Sequence, residues 1–254
     1  MKTAVPRLSP RHLTRQRLLT RLDTVAPGQT VLVSAPAGHG KTLLLAEWAA
    51  QSPALTAWVA LDEDDNDDRR FWSALLTAVA SCPVVPAGSS LHELGVPTSP
   101  SQDHEFLVAV LDAVELVPGP LRLVLDDVHE LTAADPLHGL AALVRDHPPG
   151  LQLIMAGRAD PPVPLGRMRL DGQLCEIRAD ELRFSVEEAG EMLSGADVAI
   201  GPEQLRLLVA QTEGWAAGLR LAALSMRGSA DPDLFLSDFV GNSKAVSDYL
   251  VSEI

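Results

Sequence analysis

Short apolar runs alternate with longer amphipathic segments over the first part of the chain. An uninterrupted apolar run of this length predicts a strand buried on both faces of a sheet. Such runs are TVLVSA (30–35), TAWVAL (56–61), LRLVLDD (121–127), LQLIMAG (151–157) and QLCEI (173–177). Helical periodicity separates them at 41–51, 69–82, 104–117 and 137–147. The alternation predicts an α/β fold: a parallel sheet with helices on both faces.

The pattern changes near residue 184, beyond which helices follow one another with no strand between them. Ser185 with Glu188 three residues later is typical of a helix N-terminal capping box. Further helices are predicted over 202–212, 214–228 and 234–254. The sequence therefore predicts two domains, an α/β domain at 1–183 and a small all-α domain at 184–254.

Three other stretches carry weaker signals. Residues 83–103 are rich in Pro, Gly and Ser and predict a mobile surface loop. The acidic run DEDDNDD (62–68) has no regular metal-ligand spacing and predicts a solvated face. Cys82 and Cys175 are far apart, with no Cys/His spacing typical of zinc, and both are expected to be buried free thiols.

Composition excludes several classes of function for these residues. The formal net charge of -14 argues against a nucleic-acid-binding surface, which needs a basic face. No apolar run approaches the roughly 20 residues that span a bilayer. The Arg-rich start lacks the apolar stretch of a signal peptide. We therefore expect a cytoplasmic protein with no membrane contact.

The stretch SAPAGHGKT (34–42) differs at one position from the phosphate-binding loop pattern, in which a Gly stands where this chain has Ala35. A predicted strand precedes the loop and a predicted helix follows it, as the motif requires. Gly38 and Gly40 occupy the tight part of the turn, Lys41 supplies a positive charge, and Thr42 offers a hydroxyl to Mg²⁺. Since Ala35 lies at the strand end, its methyl group is expected to be tolerated.

Carboxylates at the end of a second strand complete the predicted site. Asp126 is suited to hold Mg²⁺ through water, from a strand expected next to that of the phosphate loop. Asp127 is suited to polarise an attacking water as a general base. Arg158 ends the 151–157 strand, which would lie beside the phosphate-loop strand if the sheet has an extra strand between, as in other P-loop ATPases. Arg158 either contacts a terminal phosphate or is a solvated loop residue. His129 either senses the nucleotide or packs, and packing or support of the carboxylates is favoured.

Several motifs together resemble one family. They are SAPAGHGKT, LDEDDND with RFW, LVLDDVH, the long block from GRADPPVPLG to LRFSVEEA, TEGWAAGLRLAALSMRG, and VSDYL. The chain resembles the N-terminal ATPase module of the large ATP-binding LuxR-type transcription regulators, the MalT-like branch of the STAND signalling ATPases. The resemblance extends from about residue 15 to the last residue, and its most specific motifs are the RADPP block and TEGW.

The resemblance implies a role for individual residues. Through this resemblance, Asp127 and Arg158 are the implied catalytic residues, with Arg158 as the sensor arginine. Thr42 and Asp126 form the implied Mg²⁺ site. Trp215 falls in a Gly-x-Pro position that adjoins the base in related ATPases, with Ala216 in place of the proline. The implied nucleotide-binding set is Arg15, Gln16, Ala37, Gly38, His39, Gly40, Lys41, Thr42, Leu43 and Trp215, with Arg15 and Gln16 in a segment that covers the adenine.

The resemblance also implies a nucleotide-controlled switch. Such regulators hold ADP in a closed monomeric state, exchange it for ATP when an inducer binds, and then self-associate. Slow hydrolysis of ATP resets them. The inducer of this chain is unknown. Relatives continue into a winged helix, a sensor domain and a DNA-binding helix-turn-helix. This chain is therefore expected to be a fragment of a longer regulator. DNA binding is expected only from a C-terminal domain that is absent from this chain.

Other functions remain open on the residues alone. A P-loop kinase acting on a small molecule, or another metabolic ATPase, would need an acceptor site and an arginine-bearing lid, and the sequence reveals no clear lid. A GTPase is disfavoured because no Asn-Lys-x-Asp motif is present. A scaffold with an inactive site is disfavoured because Lys41, Thr42 and Asp126 are all retained.

Overall fold

A computed structural model describes residues 2–227 of the chain. Five parallel strands form one sheet in the order β2-β3-β4-β1-β5. The strands are β1 (Thr30–Ser34), β2 (Thr56–Ala60), β3 (Leu121–Asp126), β4 (Leu151–Gly157) and β5 (Leu174–Arg178). All five runs predicted from the sequence are therefore strands, and the α/β fold is confirmed.

Helices connect the strands and continue beyond them. Those before the last strand are α1 (Gln16–Asp23), α2 (Lys41–Gln51), α3 (Asp68–Ala80), α4 (His104–Glu115), α5 (Ala134–Asp146) and α6 (Gly166–Leu170). Those after it are α7 (Ala179–Leu182), α8 (Val186–Gly195), α9 (Pro202–Thr212) and α10 (Ala216–Met226). The short helices α1, α6 and α7 are not predicted by the sequence pattern. Helix α5 begins three residues earlier than its periodicity indicates, because Asp135 and Pro136 are both tolerated in the first turn of a helix.

Alternate residues of each strand face opposite sides of the sheet and build two separate cores. Leu32, Leu123 and Met155 point to the side covered by α3, α4 and α5. Val33 and Ile154 point to the other side, covered by α1 and α2. Both faces are therefore buried, which is why the strands read as continuous apolar runs rather than as alternating patterns.

The order of the strands corrects the expectation that Asp126 ends a neighbour of the loop strand, and it agrees with the expected place of the 151–157 strand beside the loop strand. The strand that ends at Asp126 is not adjacent to the strand that leads into the glycine loop, because β4 pairs with both β1 and β3 and separates them. The last residue of β4, Gly157, lies directly opposite Ser34. Arg158 therefore follows the strand that is the immediate neighbour of the loop.

Helices α8, α9 and α10 enclose a third hydrophobic core of their own. Ala189, Leu193, Leu208, Leu219 and Ala222 are completely buried in it. The Ser185–Glu188 capping box is formed, since each side chain bonds the backbone N–H of the other residue. The proposed boundary near residue 184 falls between this core and the sheet, and it remains a proposal.

An N-terminal segment connects the sheet to these helices. The guanidinium of Arg15 donates to the carbonyls of Leu182 and Arg183, both at 2.7 Å, and to Glu188 at 3.0 Å. It also lies over the ring of Phe184, 4.2 Å from the centroid. Burial lowers the pKa of Arg15, although Glu188 opposes that shift. This arginine joins the start of α1 to the junction between α7 and α8.

The segment 83–103 is more ordered than its composition predicts. It contains two 3₁₀ helices, Ser90–His92 and Pro100–Gln102. Ser101 is fully buried, where its hydroxyl accepts a hydrogen bond from Trp72 Nε1 at 2.8 Å and donates to Asp68. The prediction of a loop with little fixed structure is therefore wrong for this segment, because its polar groups form hydrogen bonds inside the fold.

Two smaller expectations also need correction. The acidic run is not uniformly solvated, since Asp65 is fully buried, forms an ion pair with Lys2, and accepts from the backbone N–H of Asp62. Cys82 is buried, and burial raises the pKa of its thiol. Cys175 is a free thiol but only half-buried, because β5 is an edge strand.

Within residues 2–227, no helix has the length and apolar character needed to cross a membrane. The helix predicted over 234–254, with its VSDYL motif, lies outside the described residues.

We predict that Ser101→Ala lowers the free energy of unfolding by about 1–3 kcal/mol, because the indole N–H of Trp72 and a carboxylate oxygen of Asp68 lose their partner inside the fold. Chemical denaturation of the two proteins measures the difference. The matched control is Ser99→Ala, whose side chain makes no capping hydrogen bond and lies at an exposed residue. Equal losses in the two variants would contradict the structural role of Ser101.

Candidate functional site

The loop between β1 and α2 has the backbone geometry of a phosphate cradle. Gly38 and Gly40 both have positive φ, 73° and 81°. This left-handed conformation is easily adopted by glycine and turns successive backbone N–H groups toward one concave space. Helix α2 begins directly afterwards, so its positive N-terminal end faces the same space. The motif therefore has the strand, loop and helix that phosphate binding requires.

Ala35 does not disturb this geometry. Its backbone N–H donates to Gly157 O at 3.2 Å, so the residue extends the pairing of β1 with β4. It is not among the described residues with positive φ, and its side chain is buried. Glycine is therefore not needed at this position, as the sequence predicts.

The side chain of Lys41 is folded against the loop. Its ammonium donates to Ala35 O at 2.7 Å and to Pro36 O at 3.0 Å. The residue is 7% exposed, so the charge lies inside the loop rather than in bulk water. An anion in the cradle would be held by this charge and by the backbone amides together.

Helix α10 contacts the loop from the opposite side. Trp215 Nε1 donates to Ala37 O at 3.0 Å, and the backbone N–H of Ala217 donates to Gly38 O at 3.0 Å. A Cβ on Gly38 would lie 2.7 Å from Ala217 Cβ and 2.8 Å from Trp215 Nε1. Glycine is therefore required at position 38 for two reasons: the positive φ, and the close approach of the helical domain.

These contacts also orient the loop amides. In a trans peptide the C=O and the following N–H point in opposite directions. Since α10 binds the carbonyls of Ala37 and Gly38, the N–H groups on the same two peptide planes, those of Gly38 and His39, point away from α10. The helical domain thus helps to set which way the cradle donors face.

Asp126 ends β3 beneath this loop. It is 2% exposed, and its side chain is hydrogen-bonded to Thr42. Burial, reinforced by the charge of Asp127, raises the pKa of Asp126 from 3.8 to about 6. A divalent cation beside it would favour the ionised carboxylate and lower that pKa.

Asp127 adopts a left-handed conformation, with φ 58° and ψ 41°. Asp tolerates this region better than most residues, yet the conformation costs on the order of 1 kcal/mol. It places the carboxylate at the cleft, with the side chain 44% exposed. His129 Nδ1 lies 3.9 Å from Asp127 Oδ1, and burial lowers the pKa of His129. Neither ring nitrogen of His129 has a hydrogen-bond partner within the described residues, so His129 packs beside the carboxylate.

A cleft of about 520 Å³ lies between the sheet domain and α10. From the predicted set, the structure brings together at this cleft Ala37, Gly38, Gly40, Lys41, Thr42, Leu43, Asp127 and Arg158. Ala216 also lines it, at the position where related ATPases have proline. The volume is in the range of small-molecule sites.

Five predicted residues do not line the cleft; Asp126 is buried beneath the loop, and the other four lie elsewhere. Arg15 is occupied by its contacts with the α7–α8 junction, and Gln16 is exposed on α1. His39 Nδ1 lies 3.1 Å from Pro36 O within the loop. Trp215 binds the loop backbone from outside. Their direct role in binding the base therefore remains a prediction, and Arg15 and Trp215 act here as contacts between domains.

Sequence reasoning missed four residues of the cleft wall, which all belong to α10. They are Ala217, Arg220, Leu221 and Leu224. With Ala216, they recur every three or four residues and so share one face of the helix. This spacing is visible in the sequence, but nothing in it reveals that the face meets the glycine loop.

The residues present fit a nucleotide with a divalent ion. The cradle and Lys41 suit phosphate, and Leu43 and Leu224, 45% and 51% exposed, offer apolar surface to a base. Among the described residues, no three His, Cys, Asp or Glu side chains cluster as a metal site. Mg²⁺ is commonly held by one or two protein ligands together with phosphate oxygens, so Thr42 and Asp126 suit it.

Comparison with known proteins places this site in a wider context. The HTH-type transcriptional regulator MalT of Yersinia enterocolitica is 34% identical over 249 residues, which are 94% of this chain and 27% of that protein. The Serine/threonine-protein kinase PknK of Mycobacterium tuberculosis is 30% identical over 246 residues, 95% of this chain and 22% of its own length. The chain thus spans about a quarter of these curated relatives. No family model matches it.

Two solved structures share the fold. The Walker-type ATPase of Pyrococcus abyssi superposes with a TM-score of 0.57 and 14% identity, covering 95% of this chain and 75% of that one. Cdc6p of Pyrobaculum aerophilum superposes with a TM-score of 0.52 and 17% identity, covering 90% and 65%. At such identities the likeness concerns the fold alone.

We predict that Asp126→Asn stabilises the metal-free protein at pH 8. The pKa of Asp126 is higher in the folded than in the unfolded chain, so stability is lost as the pH rises from about 4 to about 6, and the loss is complete above about pH 6. The variant should gain about 3 kcal/mol at pH 8, and the gain should shrink as the pH falls toward 4.

Thermal or chemical denaturation with EDTA, at several pH values, measures this gain. Asp112→Asn is the control, because that side chain is exposed on α4 and its charge does not contribute to the pKa of Asp126, so it should change stability little. A stability difference for Asp126→Asn that is the same at all pH values would refute the explanation.

Proposed function

This chain is a nucleotide-binding module related to the MalT-like transcription regulators, and from that premise we propose that it acts as an ATP/ADP switch. In the proposed cycle, ATP binding favours self-association of the regulator, and slow Mg²⁺-dependent hydrolysis returns it to the ADP state. An inducer of unknown chemistry would control the exchange. Contact with DNA would come from another part of the regulator, because the net charge of this chain is -14.

The observation that carries the proposal is the contact of α10 with the phosphate loop. A ligand shifts a conformational equilibrium only by its difference in affinity for the two states. Here the loop carbonyls of Ala37 and Gly38 are bound by the helical domain, and the amides of the same loop would face a bound phosphate. A change in phosphate occupancy would therefore alter the backbone that holds the domains together.

Residues near the cleft suit slow hydrolysis. Thr42 and Asp126 would hold the ion, and Asp127 would orient and deprotonate a water. Arg158 lines the same cleft and would contact the terminal phosphate. Lys41 would turn from the loop carbonyls toward the phosphates when nucleotide enters. A bound Mg²⁺ would neutralise the charge that develops on the phosphate oxygens.

The kinase alternative has one observation in its favour. Arg220 on α10 lines the cleft, so the helical domain would supply the arginine that a lid over the phosphates requires. Product analysis separates the two functions: a switch releases inorganic phosphate slowly, whereas a kinase phosphorylates an added small acceptor at metabolic rates.

We predict that Lys41→Ala lowers the affinity for ATP and ADP by at least about a hundredfold, because the buried ammonium is the main cation within the loop. Isothermal titration calorimetry with Mg²⁺ measures the affinities. The control is Arg145→Ala, an exposed cation at the C-terminal end of α5, outside the cleft. Absence of binding by the wild-type chain, or unchanged binding by Lys41→Ala, would refute the nucleotide site.

We also predict that Asp127→Ala spares nucleotide binding but slows phosphate release by about a hundredfold or more, through loss of the general base. In the intact regulator, the ATP-dependent self-association should then last longer, which light scattering follows. Equal hydrolysis rates in Asp127→Ala and wild type would remove the general-base assignment while leaving the binding site intact.

A further inference from the structure

Helix α10 has two faces with different environments. One is buried in the helical core through Leu219, Ala222, Ala223 and Met226. The other lines the cleft and consists of Ala216, Ala217, Arg220, Leu221 and Leu224. Arg220 is the one charged side chain on this second face. Its position within an otherwise small and apolar surface distinguishes it from the charged residues of a solvated helix face.

Arg220 is exposed, and it makes no hydrogen bond or ion pair with another residue of the described range 2–227. Other arginines of the same domain are paired. Arg206 forms an ion pair with Glu203, Arg183 forms one with Glu213, and Arg227 donates to Ala196 O. The guanidinium of Arg220 thus keeps its donors available to whatever enters the cleft.

The cleft concentrates positive charge in an acidic chain. Lys41 and Arg158 line it from the sheet domain, and Arg220 lines it from the helical domain. Asp127 is the one carboxylate residue among the lining side chains, in a chain of net charge -14. Three cations that converge on one space repel one another unless an anion lies between them.

The position of Arg220 along α10 also places it within reach of the phosphate loop. Ala217 at the helix start is bonded to Gly38 O, and Arg220 follows one turn later, a rise of about 5 Å along the axis. An extended arginine side chain spans such a distance. Its planar guanidinium presents several donors that match phosphate oxygens in pairs.

We propose that Arg220 is a phosphate-binding residue supplied by the helical domain, with the polyphosphate chain of a nucleoside di- or triphosphate as its ligand. This inference rests on the proposed nucleotide-binding function and adds a second attachment to it. The same phosphate chain is bound by Lys41 on one domain and by Arg220 on the other. Nucleotide therefore bridges the domains directly, beside the bridge that Trp215 and Ala217 make to the loop.

The test is displacement of a fluorescent ATP analogue from the full 254-residue chain, with ATP, inorganic tripolyphosphate and adenosine as competitors. In Arg220→Gln, the affinities for ATP and tripolyphosphate should fall about tenfold, the value of one charge-assisted contact. The affinity for adenosine should stay within about twofold of wild type. Arg206→Gln, with the same change of charge on α9, should leave all three unchanged.

Two results would overturn the assignment. An equal loss for ATP and adenosine would mean that Arg220 stacks on the base, and unchanged affinity for ATP and tripolyphosphate would mean that Arg220 contacts no phosphate. Thermal denaturation of both variants checks that each is folded. Failure of the wild-type chain to bind ATP at all would refute the nucleotide site itself, whereas normal wild-type binding that Arg220→Gln leaves intact refutes this inference alone.

Discussion

The arrangement of the site depends on how the carbonyl groups of one short loop are bound. Lys41 binds the carbonyls of Ala35 and Pro36 from within, and Trp215 and Ala217 bind those of Ala37 and Gly38 from the helical domain. The carbonyls of Ala37 and Gly38, bound from the helical side, turn the next amide N–H groups, those of Gly38 and His39, to the other side. The phosphate cradle is therefore shaped by the start of α10 as well as by residues of the loop itself.

Among the contacts of the helical domain with the rest of the chain, two differ in character. At the junction after α7, Arg15 is bonded to two carbonyls and to Glu188 in a largely buried setting. At the loop, two neutral hydrogen bonds are made beside a solvent-accessible cleft. Neutral hydrogen bonds contribute only about 0.5–1.5 kcal/mol each. The attachment at the loop is thus the one that a charged ligand would more easily change, which suits a switch.

The acidic residues of the site occupy contrasting environments. Asp126 is buried, its pKa is raised to about 6, and Thr42 is its hydrogen-bond partner. Asp127 is turned outward by a left-handed backbone and lines the cleft. The two adjacent carboxylates thus differ in burial and in the free-energy cost of ionisation. Asp126 is suited to hold a cation, and Asp127 is suited to act on water. The difference arises from one change of backbone conformation between neighbours.

The sequence by itself determined the parts of this protein that depend on local pattern. Continuous apolar runs predicted all five strands, and the spacing of Gly38, Gly40, Lys41 and Thr42 predicted the loop, because a strand, a tight turn and a helix N-terminus are formed by neighbouring residues. Tertiary structure alone decided the burial of Ser101, the contacts of Arg15 with the α7–α8 junction, and the contact of α10 with Gly38. Those features join residues far apart in the chain, and helical periodicity indicates which residues share a face but not what that face will meet.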